Sequence, residues 1–290
     1  MYFLRTVFFV GIISLVACKQ PTTQPQPTQP TAPAIKPNDS AIAKPVSITY
    51  TLLTNKDSIK ATLKKLDTSS IAMLALVNRM DVRSLRNYDT LIMPTDLTQP
   101  RTAYFPFPTT VATLADVKKI IYFSYPAQAF AAYENGKLVL TGPTNMGKKS
   151  SKTPTGLFFT NWKAKKTIST VNDEWELKWN FNIANKLGVG FHEYALPGYP
   201  ASHSCMRLKA ADAQYFYYWA DQWKVVDNAI VAYGTPVIVF GEYPFGQARP
   251  WLALVQNSDA LKIDDAAIEK ITAPYLNEIL QKQQARDTLQ

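Results

Sequence analysis

The sequence predicts a mainly β protein with a few helices, and three observations carry that expectation. Short runs rich in β-branched and aromatic residues recur between residues 119 and 240. Asn135-Gly136 separates two of them, and that dipeptide supplies the positive φ of a tight hairpin turn. Beyond about residue 112, only residues 210–223 and 264–282 hold a sustained helical pattern, the second interrupted by Pro274, where a kink is expected. With 290 residues, 47% hydrophobic and 18% charged, the chain can bury a sizeable core, and wholesale disorder is excluded.

Residues 1–17 contain one Arg, an apolar run and then small residues, the plan of a secretory signal too short to span a bilayer comfortably. Leu15-Val16-Ala17-Cys18 resembles the bacterial lipobox. That resemblance implies a lipoprotein signal peptide over residues 1–17 and an acylated Cys18 that anchors the protein to a membrane without crossing it. The segment 18–45 follows as a linker: residues 19–45 hold seven of the chain's 20 prolines and few large apolar side chains. Such a stretch stays extended and semi-rigid, with a reach on the order of 80 Å.

From Val46 the pattern changes. Residues 47–52 alternate as a strand, and Asp57 can cap a helix with Ile59, Leu63 and Leu66 on one face. Ile71, Leu74 and Val77 mark a second helix, and residues 89–94 a closing strand. This small βααβ unit, residues 46–97, is similar to a LysM module, the unit that reads N-acetylglucosamine chains. Asp57-Ser58-Ile59, the Ile71…Leu74…Asn78 spacing and Leu91-Ile92-Met93-Pro94 carry the likeness, with Tyr88 where the module usually has Gly. Glycan binding and a purely structural role both follow from it. The unit is expected to fold independently and to be dispensable for the chemistry that lies beyond Gly190.

Residues 110–245 form the β-rich body. Residues 119–123, 128–133 and 137–141 read as its first strands, Pro154-Thr155-Gly156 as a turn into another, and residues 234–240 as the last. Residues 246–290 form a C-terminal helical extension. No internal repeat is present.

The chain has only two histidines and two cysteines, which excludes a disulfide scaffold and a zinc site of several Cys and His ligands. Both histidines and the one cysteine outside the lipobox fall within fourteen positions, from His192 to Cys205. An imidazole within reach of a thiol can take its proton. A neighbouring cation such as Arg207 and the helix start near residues 208–212 favour the thiolate. A cysteine acyltransferase or hydrolase follows from these residues alone, with no metal and no cofactor.

The segment also resembles the L,D-transpeptidase (YkuD-type) signature, in which a His is followed after a spacer by Ser-His-Gly-Cys-(Ile or Val)-Arg. His192 matches the first His, and Ser202-His203-Ser204-Cys205-Met206-Arg207 the remainder. The likeness extends upstream to Tyr133-Glu134-Asn135-Gly136 and Pro154-Thr155-Gly156-x-Phe158. It implies an L,D-transpeptidase-like β-sandwich catalytic domain in which Cys205 is the nucleophile and His192 the base. His203, Ser204, Arg207 and Tyr194 are the implied binding residues, Arg207 placing the loop or a substrate carboxylate. Two positions depart from the pattern: Ser204 replaces the Gly before Cys, and Glu193 the Gly after the first His. Ser204 keeps a backbone N–H for an oxyanion hole if its φ suits a residue with Cβ. Either Glu193 or a backbone carbonyl can orient His192, while Ser202 and Asp212 read as turn and helix-cap residues.

By this resemblance the partners are peptidoglycan stem peptides and glycan chains, together with the membrane that holds the lipid on Cys18. The implied place is the cell envelope, facing the periplasm. The donor would be a stem tetrapeptide that loses D-alanine, and the acceptor an amine. Alternatives are an L,D-carboxypeptidase or wall-amidase on the same fold, a non-catalytic wall-binding lipoprotein, and an unrelated secreted cysteine protease. Residues 161–190, with Trp162, Trp175, Trp179 and several lysines, read as a flap over the core with a solvated basic face, or as a lid gripping an anionic peptide. The formal charge of +9 suits a carboxylate-rich wall, and no nucleic-acid motif is present.

Overall fold

The computed structural model describes residues 48–169 and 175–289. The leader, Cys18 and the whole proline-rich linker lie outside the described residues. The first elements are β1 (Tyr50–Thr54), α1 (Lys56–Leu63), α2 (Thr68–Val77) and β2 (Thr90–Pro94), with β1 and β2 paired antiparallel. Both helices are capped locally: Asn55 accepts from the Ser58 N–H at 2.8 Å and Asp67 from the Ser70 N–H at 2.7 Å. Asn55, not Asp57, therefore starts α1, and Asp57 lies in its first turn.

The body follows with β3 (Ile120–Ser124), β4 (Ala129–Glu134), β5 (Lys137–Pro143) and β6 (Gly156–Phe159). Next come β7 (Lys163–Ile168), β8 (Glu176–Ala184), β9 (Val189–Glu193) and β10 (Met206–Leu208). Then α3 (Ala210–Trp219), β11 (Lys224–Val226), β12 (Ala229–Ala232), β13 (Pro236–Phe240), α4 (Asp265–Thr272) and α5 (Leu276–Asp287) complete the order. Two sheets build the body, one in the order β5-β4-β3-β13-β6 and one in the order β10-β9-β8-β7.

The first sheet is covered on both faces. Ile120, Tyr122, Ala131, Tyr133 and Ile238 join a core that also contains Ile48, Tyr50, Val77, Ile92, Trp251, Ile268 and Ile279. Their strand neighbours Ile121, Phe123, Phe130, Ala132, Val237 and Val239 face the second sheet and α3. Burial on both sides is why residues 120–123 read as one apolar run and not as an alternation. Phe191 of β9 sits in the second core against Phe123, Phe181 and Phe216, with ring centroids 5.4–5.9 Å apart. Each such pair adds about 0.5–1.5 kcal/mol beyond its buried area. This anchoring fixes the strand whose next residue is His192.

One expectation changes here and two gain detail. The segment 46–97 is not an independent bead: Ile59, Leu63, Leu74 and Leu91 form a small core of its own, but its other face is part of the main core. Arg79, with φ 61° and wholly buried, donates to the carbonyls of Ala127 (2.9 Å) and Val77 (2.6 Å) and lies over the rings of Phe105 and Trp251. The C-terminal helix is two helices, because Pro274 has no N–H to continue the ladder and its ring clashes with the preceding turn. Within residues 161–190, read as a flap or a lid, β7 and β8 pair as antiparallel strands. Among the described residues no helix is long and apolar enough to cross a membrane.

Candidate active site

His192 and Cys205 come together through one pairing. β10 runs parallel to β9, with Arg207 opposite His192 and Met206 opposite Phe191, so Cys205 ends the loop beside the strand that carries the imidazole. His192, His203, Cys205, Arg207, Tyr194, Ser202 and Trp175 line one narrow cleft of about 30 Å³. His192 is 4% exposed, and its Nδ1 donates to the Glu193 carbonyl at 2.9 Å, which leaves Nε2 with its lone pair. The backbone oxygen of residue 193, not its carboxylate, orients the ring.

Burial is the largest influence on both groups and pushes them toward neutrality. It draws His192 down to about 4, helped by the charge of Arg207 against a hydrogen bond to Glu193 that works the other way. It raises the Cys205 thiol, opposed by a backbone contact at Gly190 and by Arg207. The free protein therefore holds a thiol and a neutral imidazole, whereas the sequence reading expected Arg207 to favour a thiolate. Desolvation outweighs the one nearby cation. A base that is already neutral at pH 7 can take the thiol proton as attack occurs.

The same burial makes stability depend on pH. Between the ordinary histidine value and about 4 the unfolded chain binds a proton that the folded chain does not, so stability falls as pH drops through that window. The loss should reach roughly 3 kcal/mol by pH 4. Urea unfolding at pH 7 and pH 4.5 checks it. His192→Gln should remove a large part of the difference, and an unchanged difference would assign the acid sensitivity to other groups.

The cysteine loop is held by contacts that its own sequence does not announce. Ser204 has φ 83°, so this serine adopts the left-handed backbone that a glycine takes freely, at a cost of roughly 1–2 kcal/mol. Thr153 Oγ1 donates to the Ser204 carbonyl at 2.8 Å, and Ser204 Oγ to Ser151 O at 3.3 Å, fixing that geometry. Ser202 Oγ donates to the Cys205 carbonyl at 2.5 Å, the turn role expected for it. Asn145 bridges Arg207 through both backbone groups, and its side-chain amide donates to Tyr199 O. Gly147 pairs with Ser202, and a Cβ on it would lie 2.2 Å from Ser151 O, so only glycine fits. Arg207 lies over the Tyr194 ring at 4.5 Å and donates to Ala195 O and Ala201 O at 3.4 Å, holding the loop between the two histidines.

Asp212 does not cap α3. Lys209 is the cap residue, and both Asp212 oxygens accept from the Arg101 guanidinium at 2.8 and 2.7 Å. A second set of contacts comes from the βααβ segment. Asp81 N–H donates to Leu196 O at 2.9 Å, and Leu196 N–H to Asp81 Oδ2 at 2.8 Å. Tyr88, the residue in place of glycine, donates from its hydroxyl to Pro197 O at 2.5 Å. His203 points to the mouth of the cleft, its Nε2 3.1 Å from Lys148 Nζ and its ring 5.3 Å from Trp175. Of the three flap tryptophans, only Trp175 lines the cleft; Trp162 donates to Asn185 and Trp179 packs on Tyr217 and Tyr218. Arg101, Asp81 and Asn145 are not legible in the sequence, because each lies 50 or more residues from its partner and no local motif marks it. Among the described residues no group of three or more His, Cys, Asp or Glu is placed to hold a metal ion.

A buried imidazole on β9 and a thiol on the residue before β10 thus line one cleft of a two-sheet body. In comparison with known proteins, residues 118–239 match the model of the YkuD family, described as the L,D-transpeptidase catalytic domain. The chain thus carries an L,D-transpeptidase catalytic domain over those residues. Among solved structures, an L,D-transpeptidase from Stackebrandtia nassauensis matches at 22% identity and a TM-score of 0.36, covering 43% of this chain and 57% of that one. One from Mycobacterium tuberculosis H37Rv matches at 22% identity and a TM-score of 0.34, covering 43% and 58%. The catalytic domain of an E. faecium L,D-transpeptidase matches at 24% identity and a TM-score of 0.33, covering 42% and 96%. The match spans less than two thirds of the first two relatives' length. No curated protein matches.

Proposed function

We propose that the protein is a peptidoglycan L,D-transpeptidase in which Cys205 is the nucleophile and His192 the general base. The observation that carries this reading is the β9–β10 pairing, which brings a thiol to the same cleft as an imidazole whose Nδ1 is engaged by a carbonyl and whose Nε2 is free. In the forward step His192 Nε2 takes the thiol proton while Sγ attacks the carbonyl of the third stem residue. The tetrahedral oxyanion is met by backbone N–H groups of the Ser204–Cys205 turn. Collapse breaks the amide bond, His192 returns its proton to the leaving nitrogen, and D-alanine departs. An amine then attacks the thioester and regenerates the thiol.

In this reading Arg207 and Tyr194 shape the loop, and the βααβ segment serves as a buttress through Asp81 and Tyr88. The setting is the cell envelope, with the chain held to a membrane by a lipid on Cys18. The experiment is incubation with muropeptides carrying tetrapeptide stems, with products read by mass. Release of D-alanine with a new crosslink is the expected result. Release with only the hydrolysed tripeptide would make the protein a carboxypeptidase. Formation of neither product would overturn the reading.

A further inference from the structure

The site has a charge imbalance that the reaction above does not use. Lys148 is half-buried, and its backbone is fixed on the cysteine loop by its N–H to Ser202 O at 2.9 Å. Its ammonium lies 3.1 Å from Nε2 of His203, which lines the cleft together with Arg207. Neither Lys148 nor Arg207 takes part in an ion pair among the described residues. Two lysines of the 161–190 segment are engaged elsewhere: Lys163 donates to Tyr217 O, and Lys166 pairs with Glu176. Burial, Lys148 and Arg207 all hold His203 below its ordinary value, so the imidazole accepts from the ammonium and does not add a second charge against it. An ammonium whose described partner is a neutral ring keeps donors and charge to offer to an anion.

We propose that Lys148, set by His203, forms a carboxylate-binding subsite at the mouth of the cleft that reads the free terminal carboxylate of the donor peptide. This rests on the transpeptidase reading for the identity of the peptide, in which the departing D-alanine carries that carboxylate one residue from the bond that breaks. His203 is two residues from Cys205, so their Cα atoms lie no more than about 7 Å apart and the subsite is on the same loop as the thiol. The subsite therefore distinguishes a stem ending in a free acid from one ending in an amide.

The test separates binding from turnover. Affinities of a stem tetrapeptide and its C-terminal amide are measured calorimetrically on the Cys205→Ala protein, with and without Lys148→Met. The acid should bind at least tenfold more tightly than the amide at low salt. Lys148→Met should erase that preference by weakening the acid alone, and Lys148→Arg should restore most of it. Raising ionic strength should narrow the gap, since the contact is at the cleft mouth. Equal affinity for acid and amide, or an equal loss of both in Lys148→Met, would overturn the subsite. A protein that shows the preference yet releases no D-alanine from either peptide when Cys205 is intact would retain the subsite and lose the transpeptidase reading.

Discussion

Cys205→Ser is expected to abolish acylation by a carbapenem, and His192→Ala to slow it by about 10²–10⁴-fold, the range for loss of a general base. The expectation follows from the protonation states. Burial holds the thiol as a thiol, so the reaction needs an acceptor for its proton, and His192 is neutral with Nε2 unblocked. His203 is engaged by Lys148 and Trp175 at the cleft mouth, and His203→Ala should cost less than tenfold. Intact-protein mass spectrometry against time, on variants matched for stability, gives all three rates. A greater loss from His203→Ala than from His192→Ala would reverse the assignment.

Arg79→Met should destabilise the fold by about 2–4 kcal/mol, and a chain beginning at Arg101 should fail to fold. Removing the guanidinium leaves the Ala127 and Val77 carbonyls buried without those donors, at about 1–3 kcal/mol for each unsatisfied group. Relief of the buried charge offsets part of that loss. Deleting residues 48–100 is more severe, because it uncovers Tyr122, Ala131 and Ile238 on one face of the central sheet. Urea unfolding followed by circular dichroism measures the first, and dispersion of amide proton shifts reports the second. A well-folded chain starting at Arg101 that is still acylated at Cys205 would restore the βααβ segment to independence.

Several elements were legible in the sequence because local physics decides them. The hairpin at Asn135-Gly136 has positive φ at both residues, as its dipeptide predicts, and the helix-breaking effect of Pro274 was visible in advance. Cys205 and His192 were legible for the opposite reason: two rare residue types cluster in one short segment. The supporting contacts were not. Asp81 meets Leu196, Arg101 meets Asp212 and Lys148 meets His203 only after the sheets are assembled, and nothing in the chain near any of them marks the meeting. The protonation state of the pair was misjudged because burial, the larger influence, is invisible until the fold is known.

The parallel pairing of β9 and β10 has a kinetic consequence. The separation of imidazole and thiol is set by a backbone ladder and by Phe191 in the core, not by a lid that must close to assemble them. The entropy of bringing the two groups together is thus lost once, on folding, and not again at every encounter with substrate. On the proposed function, what remains to be ordered in each cycle is the substrate that enters the cleft, whose lining includes Trp175.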